Sequence, residues 1–343
     1  MNQAVLPAML SGLRVLDLTR NLPGPFATRM LADLGATIVK VEPPEGDPAR
    51  PLGGLFEALN HGKECRRIDF KNTEALHQLR EWAKDSDVVI DSFRPGVMQS
   101  LGLDHPTLSQ GHARLVSVSI TGYGQHGPWA NKAGHDLNFM AMSGVLDQVR
   151  APTGELALSN VQWGDIAGGS SMACIATLAA VFEAQRSGQG RALDVSMAHG
   201  LFAHLVMPRA TGPLMKSMLG RWPGAGEDML NGALPCYNLY NTLDGRTLAV
   251  GALEHKFWKA ACDVFGRPEW ADIHWQRGVL PKTPPSDALK NDVAQLVASQ
   301  PLDVWADRFE SSDCCVTPVL TLAEAKAHPL FAELTRQPWM AMT

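Results

Sequence analysis

The stretch LRVLDLTRNLPGPFATRMLADLGATIVKVE, residues 13–42, decides the fold class because it contains a strand, a helix and a second strand in succession. Residues 13–18 alternate and then run apolar, as a buried strand does, and residues 37–41 repeat that pattern. Between them Pro23-Gly24-Pro25 breaks the chain, and residues 26–34 have helical spacing before a glycine that suits a helix C-terminus. We therefore predict a βαβ unit, whose two strands must be parallel.

The same alternation continues more loosely towards residue 120. It predicts a short strand at 67–70, a helix at 73–84, a strand at 87–92, a helix at 95–101 and a strand at 115–120. Strands that alternate with helices form a mainly parallel sheet covered on both faces. The predicted class is α/β, with a Rossmann-like large domain.

A different organisation begins after about residue 200. Residues 201–232 are rich in Met, Gly and Pro without clear periodicity, whereas residues 237–240 and 247–250 flank Asp244-Gly245 as a hairpin would. Helical patterns follow at 257–265 and 287–298, and a strand-like run at 316–320. These elements predict a smaller α+β domain.

The length of 343 residues exceeds what one compact core usually holds, so two domains are expected. We place the large domain at 1–200, with 316–343 returning to it, and the small domain at 201–315.

Composition excludes several classes of function. The formal charge of -5 comes without a basic stripe, which argues against a nucleic-acid partner. The six cysteines form no Cys-x-x-Cys pair and no zinc-ligand spacing, so we predict reduced, mostly buried thiols and no metal. The N-terminus is a poor signal peptide, and the apolar run 166–182 is short and rich in small residues, so it predicts a buried helix. We expect a soluble, cytoplasmic protein without a membrane partner.

Residues 122–127 match the pattern G-x-G-x-x-G directly after a strand. A dinucleotide fingerprint needs a helix that starts within the glycines, so that its N-terminus faces the pyrophosphate. Pro128 follows instead, and no apolar helical stripe appears until after Asp136. We interpret the segment as a glycine-rich loop near a ligand.

Two acidic helix starts are candidate sites. Gly134-His135-Asp136 precedes an apolar segment, where Asp136 could cap a helix and His135 could be structural or could transfer protons. Asp165 lies before the long apolar run, where it could be an N-cap or a catalytic carboxylate. Gly168 and Gly169 would let a ligand approach the backbone amides, which could stabilise an oxyanion.

Charged residues elsewhere are weaker candidates. Glu254 follows the hairpin at a helix start, where it could be a solvated first-turn acid. Arg94 follows a predicted parallel strand at the edge where open α/β sheets bind ligands, and a guanidinium suits phosphate. Lys63, Arg66 and Arg67 are further cationic candidates, although each taken singly is more often a surface charge.

Taken together, these segments resemble family III CoA transferases over nearly the whole chain. The motifs that carry the resemblance are Gly12–Leu18, Pro23–Phe26, Leu31–Ala36, Val39–Asp47, Ser92–Val97, Thr121–Gln125, Arg186–Arg191 and Asp194–Met197. Within that family the α-methylacyl-CoA racemase-like branch is more similar, on the segments Gly134–Asp136, Gly164–Gly169, Gly251–Glu254 and Asp313–Leu320.

The resemblance implies roles for named residues. Asp165 matches the catalytic carboxylate of both branches, which is a nucleophile in transferases and a proton-transfer base in racemases. His135 matches the opposite base of racemases, which transferases such as formyl-CoA transferase lack, and Glu254 matches the acid that supports it. The implied CoA contacts are Arg67, Ile68, Asp69, Phe70, Arg94, Gly134, Asp136 and Asn138. No cofactor is implied beyond the CoA part of the substrate.

The resemblance also implies an assembly, in which two ring-like subunits interlock as a homodimer. The active site would lie between the large domain of one subunit and the small domain of the other. Pro43 stands where the family often has a CoA-contacting arginine, so we expect a different pose or affinity for the nucleotide. The sequence ends at Thr343 without the family's usual C-terminal segment, which bears on the dimer and on the entrance to the site.

Three functions follow from this reading. The first is α-proton abstraction and epimerisation of 2-methylacyl-CoA thioesters, with His135 and Asp165 on opposite faces. The second is CoA transfer between carboxylic acids through an aspartyl anhydride at Asp165. The third is a non-catalytic acyl-CoA-binding protein, which would be stabilised by its ligand without turnover.

Overall fold

The computed structural model describes residues 8–149 and 155–332, and these divide into two compact units. The first unit includes residues 8–145, 159–204 and 332, and the second includes residues 146–149, 155–158 and 205–331. Each unit has its own sheet and core.

Six parallel strands form the sheet of the first unit. They are β1 Arg14–Leu18, β2 Thr37–Glu42, β3 Glu64–Arg67, β4 Val88–Asp91, β5 Val116–Thr121 and β6 Ala192–Ser196. Their order in space is β3-β2-β1-β4-β5-β6, the order of doubly wound nucleotide-binding folds. The prediction of an α/β fold with a mainly parallel sheet is confirmed.

The helices of the first unit lie between the strands along the chain and after the last one. They are α1 Pro23–Asp33, α2 Leu55–Asn60, α3 Thr73–Lys84, α4 Val97–Ser100, α5 His105–Leu108, α6 Asp136–Ser143, a π-helix Gly164–Ser171, α7 Met172–Ser187 and α8 Met197–His204. Helix α3 has the predicted bounds, because Asn72 caps it by accepting the N–H groups of Glu74 and Ala75.

The strand predicted at 67–70 is wrong by three residues. Glu64–Arg67 forms the strand instead, because it pairs in parallel with Val39–Glu42 of β2. The pattern misled us because β3 is an edge strand with exposed residues, so its apolar neighbours Ile68 and Phe70 lie beyond its end.

The second unit contains three antiparallel strands, in the order β7-β8-β9. They are β7 Tyr237–Asn241, β8 Thr247–Gly251 and β9 Val316–Pro318, so the predicted hairpin is present. The helices are α9 Val206–Leu219, α10 His255–Phe265, α11 Pro284–Val297, α12 Leu302–Glu310, α13 Leu322–Ala327 and α14 Pro329–Ala332. Its core includes Trp258 and Trp305, both fully buried.

The domain bounds differ from the prediction, because residues 146–149 and 155–158 lie within the predicted large domain but belong to the second unit. We expected 316–343 to return to the large domain, but β9 pairs with β8 and residues 316–331 belong to the second unit. The strand joins there because it completes a sheet whose other two strands form the hairpin. Residues 333–343 lie outside the described residues. Helix α9 also occupies much of 201–232, where the pattern showed no periodicity.

The apolar run predicted as a buried helix is only partly buried. The continuous helical stretch Gly164–Ser187 is long and apolar enough to span a membrane, and 39% of its most apolar window is buried. Ile175 and Phe182 are 62% and 61% exposed. A core helix of a soluble protein passes the same test, so one such stretch among the described residues is weak evidence for a membrane span.

Candidate active site

A cavity of about 520 Å³ opens in the first unit at the carboxyl ends of β1, β4 and β5. In the sheet, β2 and β3 lie on one side of β1, whereas β4, β5 and β6 lie on the other, so the strand order reverses direction at β1. Open α/β sheets bind ligands beyond the carboxyl ends of the strands at such a reversal point. The walls are Arg20, Asn21, Pro23, Ser92, Phe93, Arg94, Pro95, Ile120, Thr121, Gly122, Ala130, Lys132, Ala133, Gly134, His135, Asn138, Phe139, Asp165 and Met197.

Asp165 lies in this cavity as the second residue of the π-helix, after Gly164. Trp163 occupies the N-cap position and no side-chain cap is present, so Asp165 does not act as the helix cap. Among the described residues none donates a hydrogen bond to its carboxyl group. Burial, followed by the charge of Asp136, raises the pKa of Asp165 to about 7. At neutral pH the group therefore exchanges readily between carboxylate and acid.

Asp136 anchors the turn that presents Asp165. It is the first residue of α6, and its Oδ1 accepts the backbone N–H of Asp165 at 3.0 Å. Gly164 is required between them, because a Cβ there would lie 2.8 Å from Asp136 Oδ1. Asp136 thus binds the backbone N–H of Asp165 and disfavours the charged form of its carboxyl group, but it does not line the cavity itself.

His135 precedes α6 and reaches the same cavity as an exposed side chain. Its backbone N–H donates to Asn138 Oδ1 at 3.0 Å, which fixes the first turn of α6. Gly134 must be small, because a Cβ would lie 2.8 Å from Phe139 Cε1 and 3.0 Å from the Tyr123 hydroxyl. The fold therefore brings together His135 and Asp165, which are separated by 29 residues of the chain.

The predicted CoA contacts divide into two groups. Arg94, Gly134 and Asn138 line the cavity, and the Arg94 side chain is exposed there. The stretch Arg67-Ile68-Asp69-Phe70 does not line it. Phe70 contacts the cavity wall, because its ring packs edge to face against Phe93 at 5.9 Å.

The remaining members of that stretch have local roles. Arg67 ends β3 with an exposed side chain, and the Ile68 N–H donates to the Glu42 carbonyl oxygen. The exposed Asp69 accepts the N–H of Lys71.

Two other cationic candidates are occupied by protein partners. Lys63 is buried and donates to Asp17 Oδ2 at 3.2 Å, to the Pro25 carbonyl oxygen and to Thr28. Arg66 pairs with Glu64 and stacks over the Trp82 ring at 4.4 Å. Arg20 and Lys132 line the cavity instead. Arg20 lies two residues beyond the end of β1, so the strand-end rule that identified Arg94 could have found it, whereas no sequence signal marked Lys132.

Gly168 and Gly169 do not leave room for a ligand, contrary to our expectation. A Cβ on Gly168 would lie 2.4 Å from the Met197 carbonyl oxygen, and one on Gly169 would lie 3.0 Å from Met197 Cγ. Gly200 lies against Gly168 in the same way. These glycines serve the close crossing of the π-helix with α8.

Glu254 belongs to the second unit, where it precedes α10 as the N-cap residue without a side-chain capping hydrogen bond. Its carbonyl oxygen accepts the N–H groups of Phe257 and Trp258. Within residues 8–149 and 155–332, no group of three or more His, Cys, Asp or Glu side chains is placed to hold a metal ion.

The glycine-rich segment 122–127 forms a loop after β5, as predicted. After β5 no helix begins before Asp136, and Gly122 lines the cavity. A Cβ on Gly122 would lie 2.4 Å from Phe139 Cε1, so this glycine allows α6 to pack closely.

Comparison with known proteins agrees with this architecture. The family model described as CoA-transferase family III matches residues 10–337. Human alpha-methylacyl-CoA racemase is 33% identical, over 93% of this chain and 80% of its own length. Acetyl-CoA:oxalate CoA-transferase of Acetobacter aceti is 32% identical, over 93% and 82%.

Solved structures show the same fold. A Mycobacterium tuberculosis protein described as a probable fatty acyl-CoA transferase has a TM-score of 0.78 and 27% identity, over 97% of this chain and 87% of that one. A CaiB/BaiF family protein of Brucella suis has a TM-score of 0.77 and 26% identity, over 94% and 87%.

Proposed function

Because this chain belongs to CoA-transferase family III, we propose that it binds acyl-CoA thioesters and epimerises them at the α-carbon, with 2-methylacyl-CoA as the substrate class. The observation that carries the proposal is the carboxyl group of Asp165. It lines the cavity, has no hydrogen-bond donor among the described residues, and has a pKa of about 7.

Epimerisation needs a base that removes the α-proton from one face and an acid that returns a proton to the other. A pKa near 7 lets Asp165 do either at neutral pH, and a histidine has a suitable unperturbed pKa for the partner role. His135 lines the same cavity. The 33% identity with alpha-methylacyl-CoA racemases supports this reaction.

The CoA part of the substrate would supply remote binding energy that holds the α-carbon between the two groups. Arg20, Arg94 and Lys132 give the cavity wall three cationic side chains, and such groups suit the phosphates of CoA. We extend the proposal to Glu254 as the acid that supports the histidine, and to a reaction that uses no cofactor beyond CoA itself.

The test is incubation with a single epimer of a 2-methylacyl-CoA in D₂O, following α-deuterium and epimer ratio together. Wild type should incorporate deuterium and epimerise the substrate, and both His135→Ala and Asp165→Asn should lose at least two orders of magnitude in rate, roughly the worth of a general base. His77→Ala and Asp303→Asn, exposed changes outside the cavity, serve as controls. Wild type without deuterium uptake would contradict the proposal.

CoA transfer is the second candidate, supported by the 32% identity with acetyl-CoA:oxalate CoA-transferase. In that reaction the Asp165 carboxylate attacks the thioester carbon, the carbon–sulfur bond breaks, and CoA leaves as thiolate from a mixed anhydride. The acceptor carboxylate then attacks the aspartyl carbonyl carbon of that anhydride, which expels the donor acid and forms a new anhydride with the acceptor. The CoA thiolate attacks the acyl carbon of the acceptor, the anhydride bond breaks, and Asp165 is released as carboxylate with CoA on the new acyl group. A new acyl-CoA formed on addition of a free acid, lost in Asp165→Asn but retained in His135→Ala, would identify this reaction.

The proposal includes a cytoplasmic homodimer. Cys174, Cys236, Cys262 and Cys314 are free and buried, and Cys65 and Cys315 are free and exposed, which suits a reducing compartment. The exposed apolar side chains Ile175 and Phe182 of α7 support self-association, because such surfaces mark protein interfaces.

A further inference from the structure

The loop between β1 and α1 forms one wall of the cavity through Arg20 and Asn21. Asn21 has a φ of 64°, in the left-handed region that non-glycine residues rarely occupy. Asparagine tolerates this conformation better than most residues, yet the conformation persists only where the surroundings hold it.

Three consecutive residues of this loop are tied to three different partners. The Thr19 carbonyl oxygen accepts from Lys40 Nζ at 2.9 Å, the Arg20 N–H donates to Ser92 Oγ at 3.0 Å, and the Asn21 N–H donates to Asp47 Oδ1 at 3.2 Å. Two of these partners form one ion pair, because Lys40 Nζ lies 3.0 Å from Asp47 Oδ2.

The ion pair itself is buried deeply. Lys40 is 0% exposed and Asp47 is 3% exposed. Asp47 is held in turn by the N–H of Ala49 on its Oδ1, and its own N–H donates to Glu42 Oε2. A buried ion pair adds little net stability compared with apolar residues, so its value to the protein is better sought in the geometry that it imposes.

We propose that the Lys40–Asp47 ion pair is a positioning device, which holds Thr19 and Asn21 so that the cavity wall has the shape that binds the CoA part of the substrate. This inference rests on the proposed acyl-CoA function. It assigns affinity, not proton transfer, to the pair, because neither residue lines the cavity.

Asn21 offers the sharpest test, because its side chain is exposed and its replacement leaves the core intact. Asn21→Gly keeps access to a positive φ, whereas Asn21→Val has a β-branched side chain that disfavours it. In Asn21→Val the free loop relaxes, and binding must restore it. Free coenzyme A should therefore bind Asn21→Gly within about threefold of wild type and Asn21→Val roughly tenfold more weakly, measured by calorimetry.

Equal affinities of the two variants would overturn the proposal. If both were weak, the side chain and not the backbone would matter; if both were strong, the loop conformation would be irrelevant. In the deuterium-exchange assay KM should rise in Asn21→Val while kcat stays near that of wild type, a split that a general loss of folded protein would not produce.

The ion pair is tested by removing both charges together in Lys40→Met/Asp47→Asn, since a single change would leave an unpaired buried charge. Amide hydrogen exchange of residues 19–22 should accelerate and coenzyme A should bind more weakly. Arg29→Met/Asp33→Asn is the matched control, because it removes an ion pair of 2.6 Å from α1 that does not line the cavity. Unchanged hydrogen exchange at residues 19–22 in the double variant would overturn the positioning role of the ion pair and leave the proposed function intact. If the wild-type protein did not bind coenzyme A, both the proposed function and the role of the ion pair in affinity would be overturned.

Discussion

Asp165 is a carboxyl group whose surroundings, more than its residue type, determine its chemistry. Burial disfavours the charged form, and the charge of Asp136 adds repulsion, so the pKa rises to about 7. Asp136 has a second role, because its Oδ1 also accepts the hydrogen bond from the Asp165 N–H. One residue therefore supports both the position and the proton affinity of the other.

The charge of Asp136 can be separated from its hydrogen bond. Asp136→Asn keeps an oxygen that accepts the Asp165 N–H and removes the repulsion. The pKa of Asp165 should fall, although burial still keeps it above the ordinary value of an aspartate. For the substrate epimer whose proton faces Asp165, the pH profile of deuterium exchange should move to lower pH. Glu74→Gln, an exposed change on α3, should leave the profile of wild type, and so would Asp136→Asn if its charge did not act on Asp165.

The raised pKa also makes Asp165 a source of instability. Its pKa is about 7 in the folded state and near 3.8 when unfolded, so the folded state binds more protons between these values. The free energy of unfolding therefore loses a contribution as pH rises from about 4 to about 7, and the loss persists above pH 7. Asp165→Asn should stabilise the protein at about pH 8 more than at about pH 4.

Denaturant unfolding of wild type and Asp165→Asn at both pH values measures this difference. Asp303→Asn, an exposed change, should show no pH-dependent gain. A stability gain for Asp165→Asn that is the same at both pH values would mean that burial does not raise the pKa of the carboxyl group in the folded protein.

At the scale of elements, the site depends on how closely the π-helix crosses α8. The contact joins Gly168 to the Met197 carbonyl oxygen and to Gly200 without intervening side chains. Because Asp165 lies one turn earlier on the π-helix, this crossing also fixes where the carboxyl group points. The glycines that sequence analysis assigned to ligand approach serve helix packing.

A single methyl group tests this crossing. Gly168→Ala would place a Cβ 2.4 Å from a backbone oxygen that cannot move away easily. We expect a loss of about 1–3 kcal/mol in the free energy of unfolding, as for other overpacked sites. Gly111→Ala is the control, because its added Cβ meets nothing within 4 Å. Equal Tm values for the two variants would show that the helices separate without cost.

The accuracy of the predicted strand bounds depended on whether the strand is buried in the sheet or lies at its edge. The buried strands β1, β2, β4 and β5 were predicted to within about two residues, because their apolar pattern is strong. β3 was misplaced and β6 was missed, because each lies at an edge of the sheet and only Val195 among their residues is buried. Their positions follow from pairing with a neighbour and not from their own pattern.

At the scale of the whole molecule, the exposed apolar side of α7 supports the proposed homodimer. Ile175 and Phe182 are more than half exposed in the single chain. Analytical ultracentrifugation should report twice the 37.1 kDa mass of one chain. Ile175→Asp/Phe182→Asp should shift the equilibrium towards monomer, whereas Gln99→Asp, an exposed polar change, should not. A monomeric wild type at micromolar concentration would contradict the assembly.

Local sequence patterns were enough to predict the α/β class, the βαβ opening and the hairpin of the second unit, and the family resemblance pointed to His135 and Asp165. Patterns and motifs of this kind are readable because they depend on residues that are close together in the chain. Three further features came from tertiary contacts: Asp165 does not cap its helix, Lys63 forms an ion pair with the buried Asp17, and β9 completes the second sheet. Each of those outcomes depends on burial and on partners distant in the chain, which no local pattern encodes.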